Sequence, residues 1–227
     1  MGEEWLDNPV WHALRGPHAH LALRFGSALR YRPEVAPFTA LEAMQADRLR
    51  EIAPAIPEGG AAAILTLDVA EAPPGLSIRS TGVVLQMTAR TFRPLGHETE
   101  FEVLGAADVP EMLALVELTH PGPFGPRTIE MGRYIGLRRD GRLIAMAGER
   151  MRLPGFTEVS AVCVHPEHRG HGYAKMLVSA VVAPIVARRE TPFLHSYPDN
   201  RPAVAAYEAL GFTGRRMLNF TLLQRAA

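Results

Sequence analysis

With a single cysteine, Cys163, the 227-residue chain cannot form an internal disulfide, so its fold must rest on core packing. An excess of either charge is also missing. There are 24 Lys and Arg against 24 Asp and Glu, which removes the electrostatic argument for nucleic acid or an anionic membrane as a partner. No apolar run reaches the roughly 20 residues needed to span a bilayer. The stretch from Met1 to Asp7 is acidic and lacks the basic and long apolar segments of a secretion signal, so a cytoplasmic location is expected. What is present suits a globular protein: 47% apolar and 21% charged residues, enough for a real core in one large or two small units.

The most informative stretch runs from Val162 through Cys163, Val164, His165 and Pro166 to Arg169, Gly170, His171, Gly172, Tyr173 and Ala174. Before it, residues 158–164 are small or β-branched and alternate as a strand does. After it, Leu177, Val178, Val181, Val182 and Ile185 form a helical stripe. A strand therefore hands over to a helix N-terminus, where unpaired backbone N–H groups and the helix dipole favour an anionic phosphate. Gly170 and Gly172 would let those N–H groups close on phosphate oxygens. A plain strand-to-helix connection is the structural alternative, because glycine pairs in turns are common. Neither the three-glycine dinucleotide fingerprint nor a Gly-Lys-Ser/Thr loop is present.

Arg169, Gly172 and Ala174 fill the pattern Arg/Gln-x-x-Gly-x-Gly/Ala, and in this the chain resembles the GNAT superfamily of acetyl-coenzyme A dependent N-acetyltransferases. Downstream, Asn200 to Phe212 is similar to the second GNAT motif, Asn-x-x-Ala-x-x-x-Tyr-x-x-x-Gly-Phe, with Asn200, Tyr207, Gly211 and Phe212 in place. Asp199 and Asn200 are good caps, Pro202 suits a first helical turn, and Gly211 suits the position past a helix end. Asn200 and Tyr207 are two helical turns apart on one face, so one elongated ligand could touch both.

The resemblance covers about residues 98–227 and implies an α+β fold, a GNAT-type mixed sheet between helices. In that part, strands are expected at 101–104, 134–138, 143–152, 157–164, 192–196 and 218–223, with helices at 109–119, 172–189 and from 200 to 210. Residues 1–92 read as a separate α+β module, with strands at 27–31, 61–68 and 76–88 and an amphipathic helix at 41–52. Either a degenerate partial copy of the same fold or a cap over the substrate would account for it. Residues 93–99, with Pro94 and Gly96, would be the linker to a GNAT domain at 100–227.

The activity implied is direct transfer of an acetyl group from acetyl-coenzyme A to an amine in a ternary complex. A small amine or amino-acid-like molecule is the expected acceptor, and a homodimer is admitted as an assembly. By the same resemblance, Val162, Cys163, Val164, Arg169, Gly170, His171, Gly172, Tyr173, Ala174, Asn200 and Tyr207 would bind the cofactor. The backbone N–H of Val162 or Cys163 would meet the thioester carbonyl. Glu158, eleven residues before Arg169, is the leading candidate for the base that deprotonates the amine, with Glu149 on the preceding strand as runner-up. Tyr207, a phenol of ordinary pKa near ~10, would protonate the leaving thiolate. A noncatalytic acyl-coenzyme A binding module, or an acyltransferase using a longer acyl group, is the alternative. No metal is expected, because His165, His168 and His171, and likewise His12, His18 and His20, lack an accompanying carboxylate or cysteine pattern.

Overall fold

The computed structural model describes residues 2–96 and 99–226. In chain order it contains α1 (Pro9–Arg15), β1 (Ala22–Phe25), β2 (Ala28–Tyr31), β3 (Thr39–Ala40), β4 (Ala61–Thr66), β5 (Leu76–Thr88), β6 (Glu102–Leu104) and α2 (Val109–Thr119). Then follow β7 (Tyr134–Arg139), β8 (Arg142–Leu153), β9 (Phe156–Val164), α3 (Tyr173–Ala187), β10 (Thr191–Ser196), α4 (Arg201–Ala209) and β11 (Thr213–Arg225). Among the described residues, eight strands form one mixed sheet in the order β4-β11-β5-β10-β9-β8-β7-β6, and β1-β2-β3 form a small second sheet. The α+β architecture expected from the sequence is therefore present.

Strands from both sides of residues 93–99 share the large sheet, because β11 pairs with β4 on one edge and with β5 on the other. The described part of that segment is tied down as well: Arg93 N–H donates to Leu210 O and Leu95 N–H to the Ser179 hydroxyl, both at 2.9 Å. His97 and Glu98 lie outside the described residues.

The helix expected at 41–52 is instead a 3-10 segment at Ala46–Ala55. The Asn8 side-chain amide donates to the carbonyls of Leu41 and Glu42 at 2.7 and 3.2 Å, so those carbonyls are engaged from outside. The same Asn8 caps α1 by accepting from Trp11 N–H at 3.4 Å, ahead of Pro9 in the first turn. One side chain thus starts a helix and pins the neighbouring loop to it.

Core packing divides by sheet face. α3 buries Leu177, Val178, Val181, Val182 and Ile185 against Ala145, Ala147 and Val159 of the sheet. α2 lays Met112 and Leu115 against Met146, Ala161 and Cys163. The first forty residues pack Leu6, Trp11, Leu14, Tyr31 and Phe38 with Met151 and Phe193. Each fully buried large apolar side chain in these layers contributes on the order of 1.5–3 kcal/mol of transfer free energy.

Two breaks in regularity set up the site. β9 and β10 run parallel and pair only over Thr191↔Phe156, Pro192↔Thr157 and Phe193↔Glu158, although β9 continues to Val164 and β10 to Ser196. Beyond Glu158 the two strands part. Within the unpaired stretch of β9, the register with β8 passes from Gly148↔Ser160 to Met146↔Cys163, so β9 carries one extra residue there, and Ala161 adopts φ 53. A left-handed alanine costs roughly 1–2 kcal/mol and bends the strand at a bulge.

Past the end of α4, Gly211 has φ 97, and a Cβ built there would lie 1.9 Å from the Thr91 carbonyl oxygen. Both the backbone angle and the close approach demand glycine. Gly211→Ala is expected to lower stability in urea unfolding by at least about 2 kcal/mol. A midpoint unchanged from the parent would show that the 91–93 segment can retreat freely.

Candidate active site

A cavity of about 1290 Å³ occupies the parting of β9 and β10. Its wall includes Val162, Cys163, Val164, Arg169, Gly170, Gly172, Tyr173, Ala174, Asn200 and Tyr207. The two sequence motifs, thirty residues apart along the chain, are brought to one hollow.

At one end, a 3-10 turn at Pro166–His168 leads through Arg169 and Gly170 to Gly172, which begins α3 with φ 78. The Gly172 N-cap has no side chain to bond the first helical N–H groups, so they are left for a ligand. Arg169 and Lys175 add positive charge beside them on the cavity wall. The donor set fits a diphosphate, with backbone N–H groups of a helix start flanked by two cations.

His171 is turned elsewhere. It is not on the cavity wall; its ring bonds the carbonyls of His168 and Arg169 through Nδ1 at 3.2 and 3.0 Å and stacks on Tyr173. His165 and His168 form an edge-to-face pair. Among the described residues no group of three or more metal-ligating side chains comes together.

Asn200 caps α4 by accepting from Ala203 N–H at 3.3 Å, and Tyr207 stands two turns on, its ring edge-to-face with Phe212. Burial pushes the Tyr207 phenol up to about 12, so it holds its proton at neutral pH, as a hydrogen-bond donor and a weaker acid than an ordinary phenol. Burial likewise pushes the Cys163 thiol up to about 12, against hydrogen bonds from Thr119 and the Met146 backbone, which makes it a wall residue without thiolate character.

Neither carboxylate singled out as a base presents itself to the cavity. Glu149 packs toward α3, where Arg188 donates to its two oxygens at 3.1 and 3.0 Å. Glu158 is fully buried. Arg150 grips it edge-on, Nε to Oε2 at 2.8 Å and Nη2 to Oε1 at 2.7 Å, and His195 Nδ1 lies 2.7 Å from Oε1. Burial alone would raise its pKa, but the adjacent Arg150 charge and the hydrogen bonds from Arg150 and His195 hold it down to about 2. A carboxylate so held is a weak base, and its lone pairs are taken.

The network continues from His195. Gln86 donates through Nε2 to Leu6 O at 2.8 Å, and its Oε1 accepts from Arg215 at 2.9 Å, which fixes the amide orientation. His195 Nε2, 3.0 Å from Gln86 Nε2, must then accept, so the ring proton sits on Nδ1 toward Glu158. His195 lines the cavity but has no free lone pair to offer.

Sequence reasoning missed Arg150, His195 and Lys175, and it missed the inner apolar wall of Phe38, Leu65, Val84 and Phe220. Arg150 had only a near signal. Counting outward from Leu153↔Phe156 at the Pro154-Gly155 turn puts Met151 opposite Glu158, and the irregularity between Glu149 and Arg152 is what brings Arg150 there as well. His195 had none, because its position beside Glu158 depends on a parallel pairing across the whole of α3.

The model of the FR47-like protein family matches residues 134–220. A GNAT-family protein from Novosphingobium aromaticivorans has the same structure with a TM-score of 0.89 at 39% identity, over 98% of this chain and 99% of that one. A GCN5-related N-acetyltransferase from Kribbella flavida shares the fold at TM-score 0.63 and 15% identity, over 100% and 97% of the two chains. So does a GCN5-related N-acetyltransferase-like protein from Streptococcus suis, at 0.62 and 12%, over 98% and 94%. No curated protein matches. The fold is that of an acyltransferase. The chain belongs to the GNAT family of acetyltransferases.

The Glu158 pairing has a consequence for stability. Its pKa is lowered on folding, so the contribution is full above the ordinary value of 4.5 and is lost as pH falls toward about 2. Over that window, unfolding free energy should drop by on the order of 3 kcal/mol from this group. Glu158→Gln should lose that part of the acid sensitivity while being less stable at pH 7, since Arg150 is then buried without a counter-charge. Parallel acid-unfolding curves for parent and variant would contradict the assignment.

Proposed function

We propose that the protein transfers an acetyl group from acetyl-coenzyme A to the amine of a small, amino-acid-like molecule, by direct attack within a ternary complex. The observation that carries this reading is one continuous cavity whose wall holds an uncapped helix start, the parted edge of β9 and the protonated phenol of Tyr207. The thioester, when bound, supplies the activated acetyl group. The first turn of α3, with Arg169 and Lys175, holds the diphosphate. The bulged stretch at Ala161–Val162 offers backbone N–H to the carbonyl oxygen as negative charge develops on it. Tyr207 Oη gives its proton to the departing sulfur.

Residues 1–92 serve in this reading as the substrate cap, supported by Phe38, Leu65 and Val84 on the cavity wall. The amine's proton goes to water, since Glu158 is locked to Arg150, Glu149 points toward α3, and His195 is engaged at both nitrogens.

Two predictions test the roles. Gly172→Glu places bulk and negative charge at the phosphate turn and should abolish acetyl-coenzyme A binding in calorimetric titration. Gly172→Ala, carrying the same backbone strain without charge, is expected to weaken binding by only about tenfold. Equal affinities for the two variants would move the diphosphate elsewhere.

Amine-dependent release of free coenzyme A tests the reaction itself, and Tyr207→Phe should slow it by about 10²- to 10⁴-fold with cofactor affinity retained. The rate should rise with pH toward the amine's own pKa in both parent and Glu158→Gln. Should the substitution at Glu158 alone remove an acidic limb from the parent profile, Glu158 is the base after all.

A further inference from the structure

The inner end of the cavity carries a donor that the acyl-transfer chemistry does not use. Arg150 is buried, with 7% of its surface exposed, and its guanidinium carbon stands 5.2 Å from the centroid of the Phe38 ring. A guanidinium directs all five N–H groups within its plane. The Phe38 ring lies against the guanidinium, and Glu158 takes the edge formed by Nε and Nη2. Nη1 is left without a partner among the described residues. It is not sealed in the core either, since Arg150 lines the cavity and Nη1 is absent from the buried polar atoms that lack a partner. A strong donor held rigidly at the end of an apolar chamber selects for an acceptor atom on whatever enters.

We propose that Arg150 Nη1 is a subsite for an uncharged carbonyl oxygen of the acceptor, so that the preferred substrate is an amine bearing an amide, ester or ketone carbonyl rather than a free carboxylate. This rests on the acetyl-transfer reading and narrows its amino-acid-like acceptor. Charge decides the class. The Arg150 charge is already balanced by Glu158, and the nearby wall is Phe38, Leu65, Val84 and Phe220. A second carboxylate would bring net negative charge into this chamber and face Glu158 across the same guanidinium. His195 adds no compensation, because its Nδ1 proton goes to Glu158 and its Nε2 accepts from Gln86. A carbonyl oxygen takes the Nη1 hydrogen bonds with no charge added.

The test compares three acceptors with one carbon skeleton on the full chain: an amino amide, the corresponding amino acid, and the alkylamine lacking both groups. Coenzyme A release gives kcat/KM for each, expressed per concentration of neutral amine so that the different amine pKa values of the three acceptors drop out. The amide should exceed the other two by about 10- to 100-fold, mostly through KM, as fits one hydrogen bond to a charged donor. Arg150→Met combined with Glu158→Gln removes donor and counter-charge together, so no buried charge is left alone. In that variant the amide-to-alkylamine ratio should fall to near one. Arg150→Lys, which keeps a charge pair with Glu158 but lacks the second arm, should reduce the ratio in the same direction.

A parent that prefers the carboxylate, or a ratio that survives in the folded variants, overturns the subsite. Transfer to amines without discrimination overturns the subsite alone, whereas transfer to no amine of any kind overturns the acetyl-transfer reading with it.

Discussion

The Glu158 carboxylate stands at the rung where the sheet begins to open. Phe193↔Glu158 is the last pair between β9 and β10, and the side chain of Glu158 binds Arg150 of β8 and His195 of β10 at that level. Three strands are thereby held together where backbone hydrogen bonds between two of them stop. A buried ion pair of this kind is poor evidence of net stability, since its desolvation cost is large, but removing one partner is severe. Its structural value is geometric. It sets where the parting starts, and hence where the cavity ends.

From that rung the rest of the site follows outward. Above it, the unpaired edge of β9 and the bulge at Ala161 face a gap that no strand fills, so backbone groups there are available to a ligand. At the far end, the same strand delivers the chain to a glycine turn and a helix start rich in free N–H groups. Beside the rung, the network passes through His195 and Gln86 to Leu6 and Arg215, and so reaches the N-terminal residues. The opening of the sheet, the polar network and the N-terminal layer form one arrangement. In it, His195 and Glu158 are ordered by their hydrogen bonds.

The N-terminal residues also change how the large sheet is completed. Among the described residues, β4 and β5 extend the sheet beyond β10, with β11 set between them, and Phe38, Leu65 and Val84 line the inner chamber. Phe38 touches the cavity and the Arg150 face at once. Nothing in the local pattern of residues 1–92 announces this, because those strands alternate as any half-buried strand would.

Much was legible from the chain alone. The turn at Arg169–Ala174 and the helix from Asn200 to Leu210 carry their geometry in local residue types: glycine where a left-handed angle is needed, asparagine and proline where a helix starts. Local chemistry of that sort is carried by the chain itself, and ten of the eleven residues expected to bind the cofactor line one cavity. The order of strands and helices after residue 100 was likewise written in hydrophobic period. The roles of Glu158 and Glu149 were not. A strand's alternation says which face a side chain occupies, but whether that face meets a ligand, a helix or a guanidinium depends on what packs there. Arg188 reaches Glu149 from the end of α3, and His195 reaches Glu158 across a parallel pairing thirty-seven residues away. Chain-local physics determined the glycine turn and the tyrosine helix; long-range pairing and burial decided which carboxylates are free, and left neither of the two candidates so.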